Sequence, residues 1–215
     1  EARGQVLALV NNDIRVLAPG WLREMVSQAL RPEIGAVGAK LYYPNDTVQH
    51  AGVVLGMGGG NGHVFKHLRR TQAGYLDRLM LVQDCSAVTA ACLVVRKALY
   101  EEVGGFDESL AVAFNDVDFS LKLLQRGYRN LWTPYAELCH LESVTRGLDI
   151  SLRQLDLYKR ELDYFMARWG DRMPNDPAYN PNLSLAYEAV ALAFPPRVVK
   201  PWQQALPVER LSKPA

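Results

Sequence analysis

The sequence lacks the features that would indicate a membrane-spanning or nucleic-acid-binding protein. Its charge is nearly balanced, with 24 Lys and Arg against 23 Asp and Glu in 215 residues, which argues against a surface built to follow a nucleic-acid backbone. Its longest apolar stretch, at 87–95, is far shorter than the ~18 residues needed to cross a bilayer. No charged-then-apolar signal segment is visible. These absences predict a globular protein of the cytoplasm.

Cysteine is also scarce, and its spacing argues against a metal site. Cys85, Cys92 and Cys139 lie too far apart for a Cys-x-x-Cys pair, and their number is odd, so they cannot all pair within one chain. We therefore expect reduced thiols, as in cytoplasmic proteins.

The sequence does contain an alternation of short β-rich runs and amphipathic helical patterns, which predicts an α/β fold. The first run, 6–10, is apolar throughout and predicts a buried central strand. Other strand patterns lie at 36–43, 48–55 and 85–95, with a last short strand from 131, and helical patterns lie at 19–30, 97–103, 115–126 and 150–169. Proline and asparagine crowd the stretch after residue 173, which predicts a tail wrapped over the surface.

Three polar clusters lie at the ends of predicted elements, where α/β folds place their ligands. The first is Asn11-Asn12-Asp13, directly after the first strand. A carboxylate at that position suits a hard divalent cation. An Asx turn or a cap for the following helix is an equally good interpretation of the same residues.

The second cluster, Asn115-Asp116-Val117-Asp118, opens a predicted helix, with Asn115 as its N-cap. A helix N-terminus favours ionised carboxylates. Such a carboxylate can accept the proton of a hydroxyl nucleophile, a role worth ~10²–10⁴ in rate. Taken alone, the pattern more often indicates acids that cap the helix and complement its dipole.

The third cluster is His140 with Glu142, which follow a strand and share one face by alternation. A histidine there can complete a metal site, although a lone histidine is more often structural. Three weaker candidates each have an ordinary structural alternative. The glycine-rich stretch 56–62 is either a loop of the active site or a hairpin turn, and the basic run 66–70 is either a phosphate site or a solvated face. Trp132, Tyr135 and Trp169 are either rings that stack on a sugar or core residues.

Taken together and in order, these clusters resemble the family 2 glycosyltransferases, and in particular their rhamnosyltransferase-like branch. The resemblance runs from about residue 4 to residue 146, and the tail shares it at 169–171 and 179–184. Its motifs, in chain order, are Asn11-Asn12-Asp13 with 19–22, then 35–41, 48–56, 87–96, 103–108, 115–119, 127–129 and 140–143.

The resemblance implies a GT-A fold, in which helices flank a mixed sheet. It also implies transfer of a sugar, with inversion, from a nucleotide-diphosphate donor to a hydroxyl acceptor. A diphosphate must leave while a poor nucleophile attacks, so a divalent cation, Mn²⁺ or Mg²⁺, is expected to neutralise the charge that develops on the leaving group.

The same resemblance assigns roles to individual residues. Asp116 matches the acid that deprotonates the acceptor hydroxyl, while Asp13 and His140 match the metal ligands. Asp118 would either support the start of its helix or share the acceptor site. The residues expected to contact substrates are Asn11, Thr89, Ala90, Ala91 and Asp118.

The sequence departs from the family pattern at three points. Asn11 is neutral where the family commonly has Asp, which leaves Asp13 as the one anionic ligand of that trio, and Ala90 stands where glycine is usual. The family's N-terminal strands, which hold the nucleoside, would precede Glu1. We therefore expect residues 1–146 to form the metal and acceptor half of a truncated catalytic domain that lacks most nucleotide contacts, with a C-terminal helix and tail, 147–215, packed on it.

By resemblance, the pathway is bacterial surface polysaccharide or O-antigen synthesis, with rhamnose as a plausible sugar. The acceptor would be a saccharide or lipid-linked saccharide, met through a peripheral contact at the inner face of the membrane, and no nucleic-acid partner is expected. Two other functions fit the residues. One is a non-catalytic carbohydrate-binding or scaffold fragment whose acids cap helices, and the other is a metal-dependent phosphoesterase that uses Asp13, Asp116 and His140.

Overall fold

The computed structural model describes residues 2–141 and 152–200, and nine strands and four α-helices lie within them. The strands are β1 (Val6–Val10), β2 (Ile14–Val16), β3 (Ile34–Tyr42), β4 (Val48–His50), β5 (Val53–Leu55), β6 (Asn61–His63), β7 (Gln83–Cys85), β8 (Cys92–Arg96) and β9 (Arg129–His140). The helices are α1 (Trp21–Ala29), α2 (Lys97–Glu102), α3 (Asn115–Gln125) and α4 (Leu152–Trp169). Short 3₁₀ turns lie at Met57–Gly59, Tyr75–Met80 and Gly170–Arg172.

One mixed sheet organises these elements, with the strand order β1-β8-β3-β9-β2. β3 and β9 run parallel, and β1, β8 and β2 pair antiparallel with their neighbours. β4 pairs with β3 and β7 pairs with β9 in the same sheet, and β5 and β6 form a separate two-stranded hairpin. The α/β architecture with a mixed sheet is the one the sequence predicts.

Helices cover both faces of the sheet, and β3 is buried along its whole length as a result. Successive side chains of β3 point to opposite faces. Ala36 packs in the cluster that contains Phe119 of α3, whereas Val37 packs in the cluster that contains Met25 and Ala29 of α1. The α3 face is the one that carries the candidate base.

α4 lies on the outer side of α3 and closes a third apolar cluster. Phe165 and Trp169 of α4 pack there with Val117 and Leu121 of α3. After the 3₁₀ turn at Gly170–Arg172 the tail crosses the β5–β6 hairpin. There the N–H of Gly58 donates to the carbonyl of Leu185 at 2.7 Å. No helix in the two described stretches is long and apolar enough to span a membrane.

Within this chain β1 lies at one end of the strand order, and Val10 is 42% exposed. Some sequence predictions of local structure were wrong. The strand predicted over 48–55 is divided into β4 and β5, since Gly52 adopts a left-handed φ of 93°. The predicted short last strand is the 12-residue β9, and the N-cap position of α3 is held by Phe114 rather than Asn115.

Candidate active site

The candidate site forms where several strands end at one edge of the sheet. β1 and β8 are antiparallel neighbours, and the N–H of Asn11 donates to the carbonyl of Ala91 at 2.9 Å. Ile14, the first residue of β2, lies opposite His140, the last residue of β9. The residues after β1, before β8 and at the end of β9 therefore meet, although they are far apart in the sequence.

Asp13 and His140 are in direct proximity at this edge. The Oδ1 atom of Asp13 lies 3.2 Å from Nε2 of His140, and the amide nitrogen of Asn11 lies 3.3 Å from the same Nε2. The other ring nitrogen, Nδ1, lies 2.9 Å from the side-chain oxygen of Gln49. An amide oxygen only accepts hydrogen bonds and an amide nitrogen only donates them, so in the neutral imidazole Nδ1 donates to Gln49 and Nε2 accepts from Asn11.

The chemistry of this pair suits a divalent cation. Oδ1 of Asp13 is buried and has no hydrogen-bond partner, and it faces an unprotonated imidazole nitrogen. Two lone pairs in such proximity favour a cation between them, and Gln49 orients the imidazole as outer-shell partners of metal-binding histidines do. Within residues 2–141 and 152–200, no group of three or more His, Cys, Asp or Glu side chains is placed to hold a metal. The predicted partner Glu142 lies outside the described residues.

Asp116 lies in the first turn of α3 and contacts the strand edge through the segment 89–91. Its Oδ2 accepts the N–H of Ala90 at 3.1 Å, and its Oδ1 accepts the N–H of Val117 at 2.8 Å. Thr89 stabilises the same segment, since its hydroxyl accepts the N–H of Ala91 at 3.3 Å. Because Ala91 also bonds Asn11, one short segment joins Asp116 to the Asp13 side of the site.

Asp118 is in a different environment from Asp116. Its carboxylate is fully buried, accepts the indole N–H of Trp169 at 2.9 Å and lies 3.2 Å from Lys122. Arg168 of α4 approaches it to 3.1 Å. Of the two roles considered for Asp118, this arrangement favours the support of α3 over contact with the acceptor.

A pocket of about 120 Å³ opens beside His140. Sequence reasoning gave no role to several of its residues, which are Tyr43, Gln49 and His63, and treated Lys66 only as a weak phosphate candidate. The remaining lining residues are Thr89 and His140. A signal was present for Gln49, because it directly follows the apolar start of β4 within one of the family-like motifs.

Beneath this pocket His50 links the segment 89–91 to the β5–β6 hairpin. Its Nε2 lies 3.4 Å from the N–H of Thr89, and its Nδ1 lies 2.9 Å from Nδ1 of His63. Complete burial holds the pKa of His50 well below its usual value of 6.5, with smaller contributions from His63 and His140. A neutral His50 accepts from Thr89 and donates to His63, which connects the hairpin to the site.

The weaker candidates mostly have structural roles. Trp132 and Trp169 are buried core residues, whereas Tyr135 is 60% exposed. Glycines 56–62 lie in the β5–β6 hairpin. In the basic run, Arg70 forms an ion pair with Glu137 of β9 at 2.6 Å, so its guanidinium already has a partner within the fold.

The chain has the fold of the GT-A glycosyltransferases. The solved structure of GalNAc-T7 with UDP, GalNAc and Mn²⁺ superimposes with a TM-score of 0.55, covering 79% of this chain and 33% of that one. Sequence identity in this superposition is 16%, so the similarity concerns the fold.

The sequence places the chain within this class. Residues 15–169 match the family described as glycosyl transferase family group 2. The match covers more than half of the chain, and the chain therefore belongs to this family. This membership confirms the resemblance that the ordered motifs indicate, and it supports glycosyl transfer as the chemistry of the site.

Curated relatives include one protein that is named for O-antigen biosynthesis and one that is uncharacterized. The O-antigen biosynthesis protein RfbC of Myxococcus xanthus is 41% identical over 189 residues, which is 86% of this chain and 14% of that protein. The uncharacterized protein y4gI of Sinorhizobium fredii is 50% identical over 196 residues, or 91% of this chain and 22% of that protein. This chain thus spans less than a quarter of the length of these two relatives.

A third relative is more distant. The N-acetylglucosaminyl-diphospho-decaprenol L-rhamnosyltransferase of Mycobacterium tuberculosis is 27% identical over 149 residues, covering 66% of this chain and 48% of that protein. The rhamnosyltransferase-like character expected from the sequence agrees with this relative's name.

Proposed function

We propose that this chain is the catalytic portion of an inverting glycosyltransferase that moves a sugar from a nucleotide-diphosphate donor to a hydroxyl acceptor. The observation that carries the proposal is the convergence of two chemical functions at one sheet edge. An Asp13–His140 pair suited to a cation lies there, and the segment 89–91 joins it to Asp116 at the start of α3.

Asp13 and His140 are the residues that would hold Mn²⁺ or Mg²⁺. The cation would neutralise charge on the departing diphosphate. Gln49 holds the imidazole in the tautomer that leaves Nε2 available. A hard cation of this kind commonly takes further ligands from water and substrate phosphates, so two protein ligands are compatible with it. The Mn²⁺ in the GalNAc-T7 complex supports the choice of metal.

Asp116 would act as the general base. Its carboxylate is partly exposed and is oriented by the N–H groups of Ala90 and Val117. It would accept the proton of the acceptor hydroxyl while that oxygen bonds to the anomeric carbon and the bond from that carbon to the diphosphate breaks. Attack from the face opposite the leaving group inverts the configuration at that carbon.

Asn11 and residues 89–91 would form the floor beneath the two substrates. Thr89 lines the pocket beside His140, and the backbone of Ala90 and Ala91 connects the base to the metal side of the site. The methyl group of Ala90 occupies space that glycine would leave open, so we expect it to restrict how closely a sugar approaches. Asp118 would support this arrangement from the interior.

We further propose a role in bacterial surface polysaccharide or O-antigen synthesis. The name of RfbC supports the pathway, and the name of the mycobacterial relative supports a lipid-linked saccharide acceptor and a rhamnosyl donor. With such an acceptor, the protein would act in the cytoplasm at the inner face of the membrane. The segment up to residue 146 would supply the catalytic part, with α4 and the tail up to residue 200 packed on it.

The test is glycosyl transfer by the intact protein, with dTDP-L-rhamnose and a panel of UDP- and GDP-sugars as donors and an N-acetylglucosaminyl-diphospho-lipid as acceptor. We expect product formation that requires Mn²⁺ or Mg²⁺. Asp116→Asn should lower turnover by ~10²–10⁴-fold, because the amide cannot accept the proton, while Mn²⁺ binding is retained. Asp163→Asn on the exposed face of α4 is the matched control and should keep full turnover.

The same assay separates the alternative functions. A scaffold or carbohydrate-binding fragment would give no product with any donor, and Asp116→Asn would then change nothing. A metal-dependent phosphoesterase would release phosphate from sugar phosphates without an acceptor. Either result would contradict the proposal.

A further inference from the structure

α4 contacts the segment that leads into the candidate base. Glu161 lies in the middle of this helix and is only 2% exposed. One of its carboxylate oxygens, Oε2, accepts the N–H of Ala113 at 2.6 Å. The N–H of Val112 lies 3.2 Å and 3.3 Å from the two oxygens. A single buried carboxylate from a distant helix therefore satisfies two consecutive backbone amides.

The next residue, Phe114, adopts a conformation that its own side chain disfavours. Its φ of 63° lies in the left-handed region, which costs free energy for a residue with a side chain. The ring stacks on Phe165 of α4 at a centroid distance of 5.0 Å, and the carbonyl of Phe114 accepts the N–H of Asp118 in the first turn of α3. The conformation persists because α4 holds the two residues before Phe114 through Glu161 and the ring of Phe114 through Phe165, while α3 holds its carbonyl.

The consequence concerns Asp116, which lies two residues after Phe114. The direction in which α3 begins fixes where its first-turn side chains point. If the amides of Val112 and Ala113 lost their acceptor, the strain at Phe114 would no longer be opposed, and the first turn of α3 would be free to move. Burial of a carboxyl group is costly unless it is hydrogen-bonded, so Glu161 and the amides of Val112 and Ala113 depend on one another.

We propose that Glu161 is a positioning residue for Asp116 and that α4 thereby forms part of the catalytic apparatus. The inference rests on the proposed function, since it assigns Glu161 to the base of that reaction. Glu161 itself contacts no candidate substrate atom. It acts through the backbone of 112–114, and a displacement of about 1 Å at a reacting group can cost ~10²-fold in rate.

The experiment compares Glu161→Ala and Glu161→Gln in the intact protein, with the donor and acceptor that the wild-type protein uses in the assay above. For Glu161→Ala we expect kcat to fall by ~10–100-fold with the donor KM within about twofold, because donor and metal are held elsewhere. Glu161→Gln keeps one acceptor oxygen and should fall between Ala and wild type.

Hydrogen exchange gives a readout that does not depend on activity. The amides of 112–116 should exchange ~10-fold faster or more in Glu161→Ala, because their opening is no longer opposed by a buried acceptor. Two controls accompany the variant. Asp163→Ala removes an exposed carboxylate from α4, and Ile34→Ala destabilises the buried end of β3 that pairs with the beginning of β9, opposite the site.

A merely structural Glu161 gives a different result. Glu161→Ala would then lose stability as Ile34→Ala does, with kcat unchanged for the folded fraction, and this outcome would overturn the inference. If Asp116→Asn is inactive while Glu161→Ala keeps wild-type kcat, the positioning role alone has failed. If Asp116→Asn keeps full turnover, the proposed function has failed, and the inference fails with it.

Discussion

At the scale of single residues, His140 and His50 show how the surroundings decide what an imidazole can do. His140 is partly exposed and its Nδ1 faces Gln49, which leaves Nε2 directed at Asp13. His50 is fully buried and has a backbone donor at one nitrogen and His63 at the other. The first arrangement suits a ligand, and the second suits a neutral structural link.

The neutral state of His50 predicts how stability depends on pH. Its folded pKa lies well below 6.5 because of burial. As pH falls below about 6.5, the unfolded chain therefore binds a proton at this histidine, whereas His50 in the folded protein stays neutral until the pH reaches its lower folded pKa. Stability is lost on acidification, by up to about 1.4 kcal/mol per pH unit for this one group. His50→Gln, which retains an acceptor for Thr89, should reduce the slope.

Urea unfolding between about pH 5.5 and 7.5 measures this slope. We expect the slopes of wild type and His50→Gln to differ by the contribution of one titrating group. His67→Asn is the control, because His67 is exposed and asparagine tolerates its left-handed φ of 67°. Equal slopes for wild type and His50→Gln would show that His50 is not the group responsible.

At the scale of elements, the β5–β6 hairpin depends on the tail that crosses it. Gly56 and Gly58 both have left-handed φ angles, 75° and 65°. A Cβ at Gly56 would overlap the carbonyl oxygen of Met173, whereas a Cβ at Gly58 would meet nothing within 4 Å. The two positions therefore differ in their surroundings rather than in their backbone conformation.

This difference predicts unequal costs for the same substitution. Gly58→Ala should lower the free energy of unfolding by about 1–2 kcal/mol through backbone strain alone. Gly56→Ala should exceed that loss by about 1–3 kcal/mol, because the tail backbone must shift to admit the methyl group. Denaturant unfolding of both variants is the measurement, and equal losses would mean that the tail does not constrain the hairpin.

At the scale of the whole molecule, Asp176 connects the tail to the rest of the fold. Its buried carboxylate accepts the N–H of Leu55, the hydroxyl of Ser86 and the N–H of Ala178, each at 2.7 Å. Burial raises the pKa of Asp176, and these hydrogen bonds oppose the increase. The carboxylate thus joins a strand end, the segment before β8 and the tail.

Removing this carboxylate should release the tail. Asp176→Ala leaves the N–H of Leu55 without its acceptor, at a cost of about 1–3 kcal/mol, and limited proteolysis should then cut within 174–199 sooner than in wild type. Asp171→Ala, an exposed acid of the same region, should leave the cleavage rate unchanged. Unaltered proteolysis of Asp176→Ala would show that other contacts are sufficient to hold the tail.

Much of the sheet and the order of the elements could be predicted because both leave a local signal. β3 is apolar on both faces, and α3 has a helical stripe that ends at a glycine, so each is visible in a short window of sequence. The division of the run at 48–55 was not predictable, because an apolar pattern does not specify where a turn interrupts it. The split of β4 and β5 depends on one φ angle at Gly52.

The candidate site also has one part that the sequence determined and one part that only the tertiary structure decided. The sequence by itself determined which residue types are present and in which order, and this was enough to indicate the family and to select Asp13, Asp116 and His140. Only the tertiary structure favoured one of the two roles that the sequence left open for Asp118. At about 100° per residue, Asp116 and Asp118 point to opposite sides of α3, and the packing of α4 decided which side became the interior. The contacts of Glu161 and His50 likewise join distant parts of the chain, and such contacts have no local signature because they depend on how whole elements pack.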